Sequence, residues 1–447
     1  MTTPSHIKPN HPSSRSSHDG GGHLGVLLDA GRHYFSIEWI KRMIDVIAKM
    51  GYDMIHFRLT DDQAFNIQLQ SQPSLAYPSR LNGNTKVYQL QELKDIVQYA
   101  KHRGITIIPE INVPGHAGAW GGIPDLIIKC PNFICTHGYG VLLNLSQTNL
   151  PNIRQILFDV LTEVIEIFDH PPYLHLGGDE VWMGEDCLKE AGATETQDFD
   201  GFEDMLREVL QDVGYDESRV IRWESTNYQK ANSITLQRAG NITHFWESWP
   251  GESDIWNNIR YPNFTYPIFI STGIYFDVND HDGAYEVYVK TKRLKHLKRQ
   301  DIRNIGIIAG TFELGEKTWY VRNVVSRLLA ASLAVSPIEV SGVDAFYEIY
   351  NSTCKAMGFR SDVCNTRGVP TMHHSTFRND LKSGKKDCTW AVWKNDICDR
   401  YTEPAYKEVF VPRALDYKRP QRQKEVLDIG NTRMRAAKQR KEGISSS

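Results

Sequence analysis

The stretch Tyr173-Leu174-His175-Leu176-Gly177-Gly178-Asp179-Glu180 decides how the rest of the chain is read. Apolar and semi-polar residues alternate, then stop at a glycine pair and two adjacent carboxylates. The pattern predicts a short buried strand, Tyr173 to Gly178, whose carboxyl end opens into a site. Adjacent side chains on a regular strand point to opposite faces, but where the strand breaks after two glycines both carboxylates can turn toward one cavity. Taken alone, the stretch is read equally well with Asp179 as the cap of a following helix. The pattern on either side of it separates the two readings.

Upstream, the apolar run His23 to Leu28 ends at Asp29, and Ser36 precedes a helical pattern over Ile37 to Met50 with apolar residues at 37, 40, 44, 47 and 48. Met54 to Leu59 reads as a second strand, Gln89 to His102 as a second helix stopped by Gly104, Ile105 to Glu110 as a third strand and Pro151 to Phe168 as a third helix. Downstream, Val220 to Trp223, Ile242 to Trp246, Ile268 to Ile270 and Ile305 to Ile308 are strand candidates. Helical segments near 201–213, 284–299 and 321–334 separate most of them. Eight strands alternating with helices imply a parallel sheet, and the count favours a closed (β/α)8 TIM barrel over an open α/β sheet. No Gly-x-Gly-x-x-Gly opens a helix, which removes support for a dinucleotide fold.

Barrel enzymes carry their sites at the carboxyl ends of the strands. Just beyond the strand ends lie Arg32, Asp61-Asp62-Gln63, Glu110 to His116, Asp179-Glu180, Trp223-Glu224, Trp246-Glu247, Tyr275 with Asp277, and Glu313 to Glu316. Each has a bland alternative: a solvated Arg32, a capping His116, core tryptophans. Charged and aromatic residues after every strand, all at one rim, are hard to explain as packing.

The chain has 447 residues, 40% hydrophobic and 11% aromatic, enough for one large domain with extensions or two to three smaller ones. Its net charge of −3 hides an asymmetry, because the last 36 residues carry ten Lys/Arg against four Asp/Glu and leave an acidic body. That body argues against nucleic acid as a partner. Residues 1–22 are polar with no apolar run, so they are expected to be disordered and to hold no signal peptide. No stretch approaches a membrane span. The seven cysteines lack metal spacing, although Cys354/Cys364 and Cys388/Cys398 are spaced to bridge in an oxidising compartment. The histidines likewise have no ligand spacing, so neither a metal nor another cofactor is expected.

Four motifs in order, Gly25 to Phe35, Leu59-Thr60-Asp61-Asp62-Gln63, Ile108 to His116 and Leu174 to Glu180, resemble the glycoside hydrolase family 20 β-N-acetylhexosaminidases. The resemblance covers roughly residues 23–336 and implies a barrel that removes terminal β-linked N-acetylglucosamine or N-acetylgalactosamine from glycoconjugates or chito-oligosaccharides. It implies the substrate-assisted variant of retaining hydrolysis. Glu180 would be the acid and then the base, Asp179 would orient the substrate acetamide, and Asp61 and His116 would form a relay to Glu180. Arg32 would hold sugar hydroxyls, Trp223 and Trp246 would wall the acetamide pocket, and Tyr275, Asp277 and Glu316 would make further sugar contacts. A lysosomal or secreted location and a homodimer are compatible with the resemblance.

The chain also departs from the family pattern. Ile274 and Leu314 stand where the family commonly has tryptophan, and Arg58 stands where a histidine is usual. The family's amino-terminal α+β domain is expected to be absent, with the catalytic barrel at 23–340, an irregular, unassigned extension at 341–411 and a basic tail at 412–447. Two rivals stay open: a carbohydrate-binding barrel impaired in catalysis, and a retaining glycosidase using Glu224 or Glu247 as a carboxylate nucleophile.

Overall fold

The computed structural model describes residues 23–78, 84–129, 140–181, 197–224, 242–246, 268–271, 274–276, 283–295, 305–312 and 324–359. Eight strands close into one parallel barrel in sequence order: β1 (Leu24–Asp29), β2 (Met54–Arg58), β3 (Thr106–Glu110), β4 (Leu174–His175), β5 (Val220–Trp223), β6 (Ile242–Phe245), β7 (Ile268–Ile270) and β8 (Ile305–Ala309). β1 closes the ring against β8, with Gly25 opposite Ile308 and Val26 opposite Ala309. This is the TIM barrel that the alternating pattern predicts.

Among the described residues the helices are α1 (Ile37–Lys49), α2 (Leu90–Lys101), α3 (Leu150–Ile167), α4 (Phe199–Asp212), α5 (Ala284–Lys295), α6 (Val324–Val335) and α7 (Gly342–Ala356). Their inner faces follow the helical repeat: α1 buries Trp39, Ile40, Met43, Ile44 and Ile47, and α3 buries Ile153, Ile156, Leu157, Val160, Leu161, Val164 and Ile165. Ser36 takes the N-cap position of α1 in extended conformation but makes no side-chain capping bond. At α2 the carboxylate of Glu92 accepts the Gln89 backbone N–H at 2.8 Å, the returning half of a capping box. None of the described helices is long and apolar enough to cross a membrane.

Two expectations need correction. β4 is two residues long, not six, because the chain leaves strand geometry at Leu176; the backbone still bonds onward, Leu176 N–H to the Ile221 carbonyl at 3.0 Å and Trp223 N–H to the Gly177 carbonyl at 3.0 Å. The extension after residue 340 is not irregular at its start. It opens with α7, whose Phe346 ring meets Tyr288 of α5 at 5.0 Å and Tyr285 at 5.4 Å. Cys354 of α7 is buried and disulfide-bonded, and its partner lies outside the described residues.

The barrel interior changes character along its axis. The β1–β2 register pairs Gly25 with Met54, then Leu27 with His56, then Asp29 with Arg58. Alternate residues face inward, so the filling runs from apolar through imidazole to charge toward the carboxyl ends. The apolar part includes Leu27, Met54, Ile108, Ile221, Ile242, Phe269 and Ile308.

The middle holds three fully buried histidines. Gly177 N–H donates to His175 Nδ1 at 3.0 Å, His175 Nε2 lies 3.4 Å from His244 Nδ1, and His244 Nε2 lies 2.7 Å from Ser271 Oγ. One proton assignment satisfies all three contacts: each of these two imidazoles is neutral, carries its hydrogen on Nε2 and accepts on Nδ1. Burial pushes the pKa of His175 and of His244 well below 6.5, with neighbouring His56 acting in the same direction. His56 stacks on His175 with ring centroids 4.5 Å apart and places Nε2 2.7 Å from Glu110 Oε2.

Because these two bases are depressed on folding, their contribution to stability is fully present above about 6.5 and is lost as pH falls toward their folded values. The thermal midpoint is expected to drop between pH 7.5 and pH 5. His244→Gln, which keeps a polar side chain but cannot titrate, should flatten part of that slope in a melt series monitored by circular dichroism. An unchanged slope would contradict the neutral-imidazole assignment.

Candidate active site

The turn after β4 presents the two carboxylates. Gly177 has φ +60° and Gly178 φ +90°, backbone that glycine adopts without strain. A Cβ on Gly177 would fall 1.8 Å from Asn112 Oδ1, and one on Gly178 would fall 2.7 Å from the Arg222 guanidinium. The glycine pair is therefore demanded twice, by conformation and by space. Asn112, in the segment after β3, accepts the Gly178 backbone N–H at 2.9 Å and donates Nδ2 to Asp179 Oδ1 at 2.6 Å. Arg222 packs beneath the turn, donating to the Leu176 carbonyl and to Glu203 of α4, each at 3.0 Å.

Glu180 and His116 both hold left-handed backbone, φ +47° and +50°. Such conformations are uncommon outside glycine and cluster at functional positions. Here they bring the two side chains together: His116 Nε2 is 2.9 Å from Glu180 Oε2, and His116 Nδ1 is 3.0 Å from Asp61 Oδ1. Burial opposes a charge on His116, but Asp61 and Asp179 outweigh it and raise its pKa well above 6.5. His116 is then an imidazolium through neutral pH, donating from both nitrogens. Glu180 is the more open end of the series, with its side chain 24% exposed against 1% for His116.

The adjacent Asp61 and Asp62 have separate tasks. Asp62 accepts backbone N–H groups of Gly118 at 2.9 Å, Gly140 at 2.6 Å and Val141 at 3.2 Å, tying two loops together. Asp61 is surrounded by cations: Arg58 Nε at 2.8 Å, Arg58 Nη2 at 2.7 Å and Arg32 Nη2 at 3.3 Å, all on Oδ2. Burial raises its pKa, yet Arg32, Arg58 and His116 together hold it well below the usual carboxylate range.

Of the residues singled out in the sequence, Arg32, Asp61, His116, Asp179 and Glu180 are brought into one connected cluster. Arg32 is 8% exposed and spends its guanidinium on Asp29, at 3.0 Å, and on Asp61. Trp223 differs from expectation: it is 1% exposed, donates Nε1 to Glu110 Oε1 at 2.8 Å and stacks on His244 with centroids 4.0 Å apart. A fully covered ring lies in the floor of the barrel and offers no open wall. Trp246 is half-buried against the same core and donates Nε1 to the Glu224 carbonyl at 2.6 Å. Tyr275 is stacked on Phe312 at 5.2 Å, 11° from parallel. Asp277, Glu247 and Glu316 lie outside the described residues.

Two residues of the cluster are not among the sequence-derived candidates for the site. Arg58 is fully buried at its centre, and Asn112 fixes Asp179 from below. The signal for Arg58 was its place two residues after His56 on a buried strand, which puts both on the inward face. Asn112 sits inside a recognised motif, but only its geometry reveals its use.

By distance, His56, His175 and His244 could hold a metal ion. Their hydrogen bonds do not fit one. A ligating imidazole donates its other nitrogen's hydrogen outward, whereas His175 Nδ1 accepts from Gly177 N–H.

Residues 22–304 match the family described as glycosyl hydrolase family 20, catalytic domain. The chain is 32% identical over 213 residues to beta-hexosaminidase subunit alpha of Mus musculus, covering 45% of this chain and 39% of that protein. It is 30% identical over 285 residues to a beta-hexosaminidase of Porphyromonas gingivalis, covering 59% and 34%. The matched region thus spans about two-fifths or less of these curated relatives. Among solved structures, a GH20 exo beta-N-acetylglucosaminidase from Vibrio harveyi, in complex with N-acetylglucosamine, is similar in fold at a TM-score of 0.57 and 21% identity, covering 77% of this chain and 58% of that one. With well over half of its residues matched to the catalytic domain, and with the closed barrel that the domain requires, the chain belongs to glycosyl hydrolase family 20.

Proposed function

We propose that this chain is an exo-acting β-N-acetylhexosaminidase that hydrolyses terminal β-linked N-acetylglucosamine or N-acetylgalactosamine by substrate-assisted, retaining catalysis. The observation that carries the reading is the series Asp61–His116–Glu180, closed by contacts of 3.0 and 2.9 Å, with Asp179 beside Glu180 on one glycine-built turn. Membership of the family and the N-acetylglucosamine complex of the Vibrio harveyi relative support the choice of sugar. The same reading places catalysis within residues 23–340 and leaves the flanking segments without an assigned role.

In the proposed reaction Glu180 gives its proton to the glycosidic oxygen as the bond from that oxygen to C1 breaks. The substrate's own acetamide carbonyl oxygen bonds C1 from the opposite face, closing an oxazolinium ring. Asp179 accepts the acetamide N–H and opposes the positive charge that forms there. Water then attacks C1, Glu180 takes a proton from it, and the ring opens with the original configuration restored. Asp61 fixes the orientation of His116, which in turn orients Glu180 Oε2 and leaves Oε1 for the leaving group. In this scheme Arg32 grips hydroxyl groups of the bound sugar, and Trp246, Tyr275, Asp277 and Glu316 complete the sugar pocket.

Paired aryl β-glycosides of N-acetylglucosamine, N-acetylgalactosamine and glucose test the proposal directly. The two acetamido sugars should be hydrolysed and the glucoside should not, because it lacks the reacting carbonyl. Rapid hydrolysis of the glucoside, with a fluorosugar trapped on Glu224 or Glu247, would establish the two-carboxylate alternative. Binding of a thiazoline analogue without turnover of any glycoside would establish a binding barrel. Glu180→Gln should lower kcat on unactivated glycosides by roughly 10²–10⁴-fold while the circular dichroism spectrum is kept.

A second variant separates a working relay from packing. His116→Ala removes the imidazolium from the series, so a limb of the kcat/KM profile should move along the pH axis even as the rate falls. A limb that stays in place would return His116 to a purely structural role.

A further inference from the structure

The Arg58 guanidinium is the one fully buried cation among the described residues that touches carboxylates from three different strand ends. Nε and Nη2 lie 2.8 and 2.7 Å from Asp61 Oδ2, after β2; Nη1 lies 3.2 Å from Glu110 Oε1, on β3, and 3.5 Å from Asp179 Oδ2, after β4. Asp29 of β1 acts on it through space. The Phe312 ring, after β8, lies 5.6 Å from its central carbon, and Glu110 is itself anchored by Trp223 Nε1 at 2.8 Å. The Arg58 side chain is fully buried among these contacts.

We infer that Arg58 is a positioning residue for the reaction proposed above: its rigid fork joins the carboxylate behind His116, Asp61, to the carboxylate that would meet the acetamide, Asp179, so that both stay ionised and aligned as one unit. The inference rests on that functional reading. Its chemistry follows from burial. A carboxyl group this deep favours its protonated form, and a protonated Asp179 could neither accept the acetamide N–H with its full charge nor oppose an oxazolinium. Burial does push Asp179 up, but Arg58, then His116 and the Asn112 amide, bring it below its ordinary value of 3.8. The like charge of Asp61 works against this, and Arg58 also sits on Asp61. One cation thereby offsets the repulsion between the two carboxylates while holding their relative positions. A purely structural Arg58 would require only that the buried charges balance; it would leave the pH response of the surviving activity untouched.

The test uses the full chain and aryl N-acetylglucosaminide. In Arg58→Met, kcat should fall by about 10²-fold with a much smaller change in KM, and the acid limb of kcat/KM should move to higher pH. Arg58→Lys, which restores a cation without the fork, should bring the limb part of the way back while leaving most of the loss in kcat. Variants that fold, judged by circular dichroism and thermal melting, yet keep the wild-type pH profile would overturn the inference. Should neither variant fold, the wild type decides: the acid limb of kcat/KM, measured with brief pH jumps and full recovery on return to pH 6, should lie on the acid side of the ordinary carboxylate range, the direction in which Arg58 holds Asp179. A recoverable limb within or above that range overturns the inference. Wild-type protein that hydrolyses no N-acetylhexosaminide at all would instead sink the functional reading itself.

Discussion

Everything at the mouth of this barrel depends on one buried carboxylate, Asp61, shared by Arg32, Arg58 and His116. Charges so deep are costly unless paired, and removing one partner from such a group destabilises a fold by about 3–5 kcal/mol. The cluster is therefore closed from every side: β1 and its loop supply Asp29 and Arg32, β2 and its loop supply Arg58, Asp61 and Asp62, and the segment after β3 supplies His116. The strand ends need one another to neutralise what each contributes. A site assembled from several strands thus helps to specify the closure of the barrel that carries it, although apolar filling below supplies most of the driving force.

The second constraint is local. A two-residue strand would be a weak element alone, but β4 sits between full-length neighbours and its outgoing chain is pinned by side chains. His175 receives the Gly177 N–H, Asn112 receives the Gly178 N–H, and Arg222 fills the space below the turn. The left-handed Glu180 that follows is held by its contact with His116. Backbone strain at the two facing residues is offset by these surroundings, so the carboxylates are oriented before any substrate arrives.

How much of this was legible in the sequence varied with the range of the interaction. Helical and strand periodicity are local, and they located the barrel and its elements to within a few residues. The motif around Asp179 and Glu180 is local too. What escaped was set by contacts between distant strands. The alternation from Tyr173 to Gly178 suggested six strand residues, but β4 stops short of the glycine pair, whose positive φ angles are not strand geometry. Trp223 was a pocket wall only through the family resemblance, with core packing as the plain reading of its position; its indole N–H is taken up by Glu110, 113 positions away. Arg58 looked like a deviation from a pattern, and its meaning lies in Asp61, Glu110 and Asp179, of which only the first is nearby in the chain. The histidines have no metal-like spacing, and their meeting inside the barrel follows from register alone: His56 opposes Leu27 and lies beside His175, while His244 opposes Trp223.

The same side chain is consequently used in two different charge states in the same barrel. His175 and His244 face other imidazoles, a hydroxyl and a backbone N–H, with the Glu110 carboxylate 3.8 Å from His175 Nδ1, and burial still keeps them neutral. His116 faces Asp61, Asp62, Asp179 and Glu180, and the same burial is overridden by the carboxylates. Acidification acts on the two layers differently. It leaves the charge of His116 in place, since that proton is already bound, but it forces protons toward the neutral layer beneath. Under the proposed mechanism the acid side of the working range is therefore limited from two directions: by the fold, through imidazoles that are held neutral, and by the chemistry proposed for the site, which needs its carboxylates ionised. Arg58 bears on both, holding Asp61 and Asp179 directly and adding a fixed positive charge that further disfavours protonation of His175.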